Sequence, residues 1–281
     1  MRLEDISIVP NGGGDSGEDP EPEYTVMPDD MATYMPPDLT DWEGAVHTFP
    51  EAVARLQRIQ AEADFHTVGS ASAGIELEDL DDRSRQLVND VLGEGEVSIR
   101  IDGGETWQIQ EAVMAGIWRL RRLDPDGTVA ADRVEVGAIP EVVTRAMLLE
   151  TAAGVHEEPA EPEAVNARAL RVELAHHVAA FEPEQEAHVI NLTLLPMTEA
   201  DQADLERIGR GPVTMLSRGY GNCRITATAV RNLWRVQYFN STDQLILDTL
   251  EVVRVPKVAQ AAQEDIDESA VRLREMLEQL Q

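Results

Sequence analysis

Residues 211–240, GPVTMLSRGYGNCRITATAVRNLWRVQYFN, decide how the rest of the chain is read. The β-rich apolar run 213–216 ends in Ser217-Arg218-Gly219-Tyr220-Gly221-Asn222, where two glycines and an asparagine supply the left-handed backbone positions of a tight connection. Cys223-Arg224-Ile225-Thr226-Ala227-Thr228 then alternates as a half-buried strand does, which predicts a hairpin. A straight strand from Cys223 to Phe239 would reach roughly 55 Å at about 3.3 Å per residue, far beyond ordinary strand length. Ile225 and Ala227 share one parity while Trp234, Val236 and Tyr238 share the other. A bend near Arg231-Asn232 is therefore needed to return Trp234 to the core, and asparagine tolerates that conformation.

A shift of 116 residues superposes 92–143 on 208–259 without a gap. Gly93/Gly209, Gly95/Gly211, Val97/Val213, Ile109/Ile225, Trp118/Trp234, Arg119/Arg235, Asp132/Asp248, Glu135/Glu251 and Pro140/Pro256 are identical pairs, and the bend residue Asn232 falls on Gly116. Each copy predicts a helix, four strands and a helix. In the second copy these are a helix near 198–208, strands near 212–218, 222–229, 232–239 and 245–255, and a closing helix with Ile266, Ala270, Leu273, Leu277 and Leu280 on one stripe. Asp124-Pro125-Asp126-Gly127 and Asn240-Ser241-Thr242-Asp243 are matching turns, and Pro140 and Pro256 suit the first turn of a helix. The predicted class is α+β: two similar repeats, each a mainly antiparallel four-stranded sheet flanked by helices.

The rest of the chain frames these copies. Residues 1–45 are acidic and rich in proline and glycine, with Arg2 their sole basic residue, a composition that predicts a disordered tail. Val53, Leu56, Ile59 and Ala63 mark an amphipathic helix that opens a first module over 46–154. An acidic, proline-rich stretch predicts a linker over 155–165, and the second module follows over 166–281. Within it, 189–195 reads as a buried strand, and Thr198 is placed to cap the next helix.

Net charge is −30 and Lys257 is the sole lysine, so the chain is expected to repel nucleic acid and anionic membranes and to attract basic partners. One cysteine excludes an intramolecular disulfide, and no run approaches the roughly 20 apolar residues of a membrane span, so a cytoplasmic protein without membrane insertion is expected. Phosphate-binding, dinucleotide, nucleophile-elbow and metalloprotease motifs are absent, which predicts a chain that is not an enzyme, with no catalytic residues and no cofactor. His176 and His177 are adjacent on a predicted helix and point apart, so no metal is assigned. Cys223, beside Arg224, is either a reactive thiol or a small core residue. Residues 209–255 carry six arginines against three acids, whereas 93–139 carry five against nine. An arginine-rich, aromatic second sheet predicts a protein-binding face.

The run 217–224, followed by Arg231-Asn232-Leu233-Trp234-Arg235-Val236-Gln237-Tyr238-Phe239-Asn240-Ser241, resembles the signature of the HupH/HyaF family of hydrogenase expression/formation (maturation) proteins. The run 188–197 resembles it as well. The resemblance implies an accessory chaperone for uptake nickel–iron hydrogenase whose partners are the iron–sulfur small-subunit precursor, bound before twin-arginine export, and other maturation proteins. It carries no catalytic set. Its signature positions are taken as a partner-binding surface: Ser217, Arg218, Gly219, Tyr220, Gly221, Cys223, Arg224, Arg231, Asn232, Gln237, Tyr238 and Asn240. Two other readings stay open, an iron–sulfur transfer or redox protein using Cys223 and a structural adaptor for other maturation factors.

Overall fold

The computed structural model describes residues 37–155, 163–183, 185–218 and 222–281. Most of the expected tail and of the expected linker lies outside these residues, as do Gly219, Tyr220 and Gly221. In chain order the elements are α1 (Ala45–Thr48), α2 (Pro50–Phe65), β1 (Ile75–Glu76), α3 (Asp82–Leu92), β2 (Val97–Asp102), β3 (Thr106–Glu111), β4 (Ile117–Leu123), β5 (Val129–Val136), α4 (Glu141–Glu150), α5 (Val165–Ala179), β6 (His188–Asn191), α6 (Glu199–Glu206), β7 (Arg210–Ser217), β8 (Asn222–Thr228), β9 (Leu233–Phe239), β10 (Leu245–Val252) and α7 (Gln263–Gln279). The class is α+β as predicted, and among the described residues no helix is long and apolar enough to cross a membrane.

The strands form one sheet in the order β1-β5-β4-β3-β2-β7-β8-β9-β10-β6, and every neighbouring pair is antiparallel. Each half supplies four strands in hairpin order and one short outer strand. The halves meet where β2 pairs with β7, in a register that sets Ile99 opposite Met215. Those two residues are related by the 116-residue shift, so the junction is symmetric about them, as in an isologous edge-to-edge contact. This pairing leaves no open strand edge at the middle of the molecule.

The two faces of the sheet differ. On the inner face Ile99, Ile101, Ile109, Trp118, Met215, Ile225 and Trp234 form one core, covered by Val142, Val143, Ala146 and Met147 of α4 and by Val255 and Ala259. On the other face, the outer strands are covered by helices: α2, α3 and α7 over the first half, α5 and α6 over the second. The C-terminal helix thus leaves its own half. Ile266, Ala270 and Leu273 of α7 are buried with Leu56 and Ile59 of α2. After Pro256 the chain makes only a 3-10 turn, Lys257–Ala259, where the first half has α4, and both prolines sit just before the first helical residue.

The strand expected over 189–195 is shorter. Beyond Asn191 the chain turns into a 3-10 helix, Leu192–Leu194, because the Asn191 side chain accepts the Thr193 N–H (3.0 Å) and diverts the backbone from the ladder. The hydroxyl of Thr193 instead accepts the Asp248 N–H at 2.8 Å. Thr198 does cap α6, in a reciprocal box with Asp201, whose carboxylate also accepts the Ala167 N–H (2.9 Å) and ties α5 to α6.

The predicted bend is present twice. Asn232 has φ 59° and Gly116 has φ 77°, each one residue before its strand, and Ala227 pairs directly with Trp234. The Gly95/Gly211 identity has an equally local cause. A Cβ at Gly95 would lie 2.1 Å from Ala112 O, and one at Gly211 would lie 2.2 Å from Thr228 O, so only glycine admits the neighbouring strand.

Glu111 is an ionisable residue on the inner face. It lies opposite Trp118, is buried, and accepts the Gly116 N–H at 3.1 Å. Burial pushes its carboxyl up from 4.5 to about 7, and the charge on Glu96 adds to this against the Gly116 hydrogen bond. A carboxyl whose pKa is raised by folding costs nothing below its unfolded value. The cost of ionising it in the core enters as pH rises from 4.5 towards 7 and reaches about 3 kcal/mol above that. Relative to Glu111→Gln, the wild-type chain is therefore expected to lose stability across that window, measured by urea unfolding at pH 5 and pH 8. Parallel pH profiles for the two proteins would show that Glu111 reaches solvent.

Candidate functional site

Alternation along the central strands sends the residues between the core positions to the opposite, open face. The floor there is Ser98 and Arg100 of β2, Gln108 and Gln110 of β3, Arg119 and Arg121 of β4, Thr214 and Leu216 of β7, Arg224 and Thr226 of β8, and Arg235 and Gln237 of β9. Two depressions open on it. The larger, about 790 Å³, lies over β4, β3, β2 and β7 beside Asn89, Asp90 and Glu94 at the end of α3. The smaller, about 330 Å³, lies over β8 and β9 beside Glu206 at the end of α6 and Arg210 at the start of β7. Asn89 and Leu205, Gly93 and Gly209, Gln108 and Arg224, and Arg119 and Arg235 line them at positions related by 116, so each half carries the same concavity with different side chains.

The cations on this floor are in three states. Arg119 and Arg235 are neutralised by fork-to-fork contacts with Asp132 and Asp248, each with one bond at 2.9 Å and one at 2.6 Å. Arg100 is exposed and, among the described residues, pairs with the exposed Asp102. Arg121 is half-buried and has no hydrogen bond or ion pair among the described residues. Burial, then the charge on Arg119, lowers its pKa from the ordinary value, and Asp132 and Glu94 offset only part of this. Arg224 is exposed, with its guanidinium 5.4 Å from the Phe239 ring centroid and no ion pair among the described residues. The face thus offers planar donor forks to carboxylates or carbonyls of another molecule.

The residues read from the signature do not form one surface. Arg224 and Gln237 lie side by side on the open face, and Gln237 Nε2 donates to Asp248 at 3.4 Å. Ser217, Cys223 and Tyr238 are on the inner face, around a cavity of about 200 Å³ that also meets Glu111 and Asp265. Cys223 is buried there, and burial pushes its thiol up to about 11. Arg231 and Asn232 are at the far end of the hairpin: Arg231 Nη2 donates to Leu148 O (2.6 Å), and Asn232 O accepts the Val253 N–H. Asn240 is in the β9–β10 turn, where its side chain accepts the Thr242 and Gln244 N–H groups. Arg218 is exposed beside the undescribed Gly219, Tyr220 and Gly221, with its N–H on Glu96 O.

Half of the open floor was missed from the sequence. Arg100, Gln108, Gln110, Arg119 and Arg121 belong to the first copy, whose excess of acids hid an arginine-bearing strand face. The signal that could have found them is the strict alternation Arg119-Leu120-Arg121, with both arginines on one parity.

Comparison with known proteins gives the relatives of the chain. The family described as HupH hydrogenase expression protein, C-terminal conserved region, matches residues 50–153 and again 164–280, one match in each half. The chain is 43% identical over 280 residues to the hydrogenase expression/formation protein HupQ of Azotobacter chroococcum, covering 98% of each chain. It is 43% identical to HoxQ of Cupriavidus necator, covering 97% of this chain and 96% of that one. It is 34% identical to the hydrogenase-1 operon protein HyaF of Escherichia coli, covering 87% and 86%. Among solved structures, the hydrogenase expression protein HupH from Thiobacillus denitrificans aligns with a TM-score of 0.36 at 27% identity, over 40% of this chain and 93% of that one.

Proposed function

The chain belongs to the HupH hydrogenase expression family, and from that premise we propose that it is a cytoplasmic, non-catalytic chaperone for the iron–sulfur small-subunit precursor of an uptake nickel–iron hydrogenase. It holds the precursor before twin-arginine export and makes no use of nucleic acid. The observation that carries this reading is the open sheet face, where the forks of Arg121 and Arg224, without an ion pair among the described residues, line depressions in a chain of net charge −30. An acidic exterior draws in a basic segment such as a twin-arginine leader, while the arginine floor takes carboxylates and carbonyls of the folded body. Attraction of opposite charges alone is unselective, so the selectivity is assigned to the forks.

Cys223 supports no redox or cluster-transfer role, because a buried thiol with its pKa near 11 is neither exposed nor ionised at neutral pH.

Capture of the small-subunit precursor by purified variants tests the reading. Arg121→Glu and Arg224→Glu are each expected to keep the wild-type melting temperature and to weaken capture by about 1–3 kcal/mol, with Arg224→Lys and Arg218→Lys giving a smaller loss in the same direction. Normal capture by both glutamate variants, folded as the wild type is, would remove the open face from recognition.

A further inference from the structure

Glu173 and His177 are four residues apart on α5, along the edge of the stripe that anchors the helix through the buried Leu170, Leu174 and Val178. His188 opens β6 and is held in register opposite Val252 of β10. The loop between α5 and β6 brings the three side chains together. His188 Nε2 lies 2.8 Å from Glu173 Oε1, and the His177 and His188 rings stack with centroids 3.4 Å apart. One donor atom from each residue lies within 4.8 Å of the others. Two half-buried imidazoles and a carboxylate, carried by a helix and a strand rather than by a loose loop, are a nitrogen-rich donor set on rigid supports.

We propose that Glu173, His177 and His188 bind one divalent transition-metal ion of the zinc, cobalt and nickel class. Two imidazole nitrogens disfavour calcium and magnesium, which take oxygen ligands, and suit ions that accept nitrogen with one carboxylate while leaving a position for water or a partner's side chain. Rotation of the rings about χ2, a broad torsion, turns the stacked edges towards a common point. The fold does not need the trio. In the first half, where Ile75 of β1 matches Ile190 of β6, the corresponding positions are Arg58, Glu62 and Ala73, and the link is a hydrogen bond from Ala73 N to Glu62. The imidazoles are an addition to the second half alone, and the bound ion clips the outer strand β6 to α5.

The full-length chain titrated with Co²⁺ is the test, because cobalt reports its ligands in the visible spectrum and nonspecific binding to the many surface carboxylates does not produce a nitrogen-ligand band. One ion per chain is expected, displaced by Zn²⁺, with the His177 and His188 imidazole resonances shifting most on Zn²⁺ binding, ahead of His176, whose ring centroid lies 5.2 Å from that of His177. His177→Asn and His188→Asn are each expected to weaken binding on the order of tenfold or more, and Glu173→Gln to weaken it while the free protein melts as the wild type does. If those imidazole signals stay in place at saturating Zn²⁺, or if the variants bind Co²⁺ as the wild type does, the site is overturned.

Discussion

Trp118→Ala and Trp234→Ala are each expected to cost about 3–5 kcal/mol of folding free energy. Both indoles are fully buried in the inner-face core. Their N–H groups make equivalent bonds: Trp118 Nε1 donates to Gly137 O at 2.8 Å, and Trp234 Nε1 donates to Val253 O at 3.2 Å, the same carbonyl after a shift of 116. Truncation removes the ring and also leaves a backbone carbonyl without its indole donor, so a phenylalanine at either position should recover most of the packing and leave about 1–2 kcal/mol unrecovered. Because the halves share one sheet across β2 and β7, either alanine variant should unfold in a single transition at lower denaturant, not in two. Chemical denaturation of the two variants decides this. A loss below about 1 kcal/mol at either position would contradict the shared core.

Those tryptophans were legible because a buried strand residue leaves a local mark, the alternation of its neighbours and a twin at a fixed distance. The same holds for the Asn232 bend, whose need followed from strand length alone, and for the Thr198 cap. What the sequence concealed is non-local. No periodicity announces that β2 pairs with β7, since an edge strand and a central strand can carry the same alternation of Val97, Ile99 and Ile101. Nor does the apolar stripe of α7 say which half it covers; Ile266 lies against Gly116, where a Cβ would come within 2.5 Å of it. The open face was hidden by arithmetic. Counting charge over 93–139 averages the loop acids Asp124 and Asp126 with Arg119 and Arg121, although alternation puts only the arginines on the floor. Of the signature residues, the two that reach that floor, Arg224 and Gln237, are cross-strand partners on the face of Arg235, and Cys223 and Tyr238, also partners, face the core.

Asp132→Ala is expected to cost more than Asp248→Ala, although the two carboxylates hold their arginines with the same bond lengths. The difference lies in what surrounds each pair. Arg119 is 12% exposed and stands beside Arg121, whose charge Asp132 and Glu94 offset only in part, whereas Arg235 is 35% exposed. Removing Asp132 leaves the Arg119 and Arg121 charges in a half-buried groove with only Glu94 to offset them, a loss of about 3–5 kcal/mol. Removing Asp248 leaves Arg235 able to turn to water, and the loss falls towards about 1–2 kcal/mol. Replacing both partners of the first pair, Arg119→Met with Asp132→Leu, should restore most of the stability, because the penalty belongs to the orphaned charge and not to the absence of the bond. Urea midpoints for the two single variants and the double variant measure all three quantities. Equal losses at Asp132 and Asp248 would mean that Arg121 exerts no repulsion on Arg119, and that the charge it offers on the open face is already satisfied.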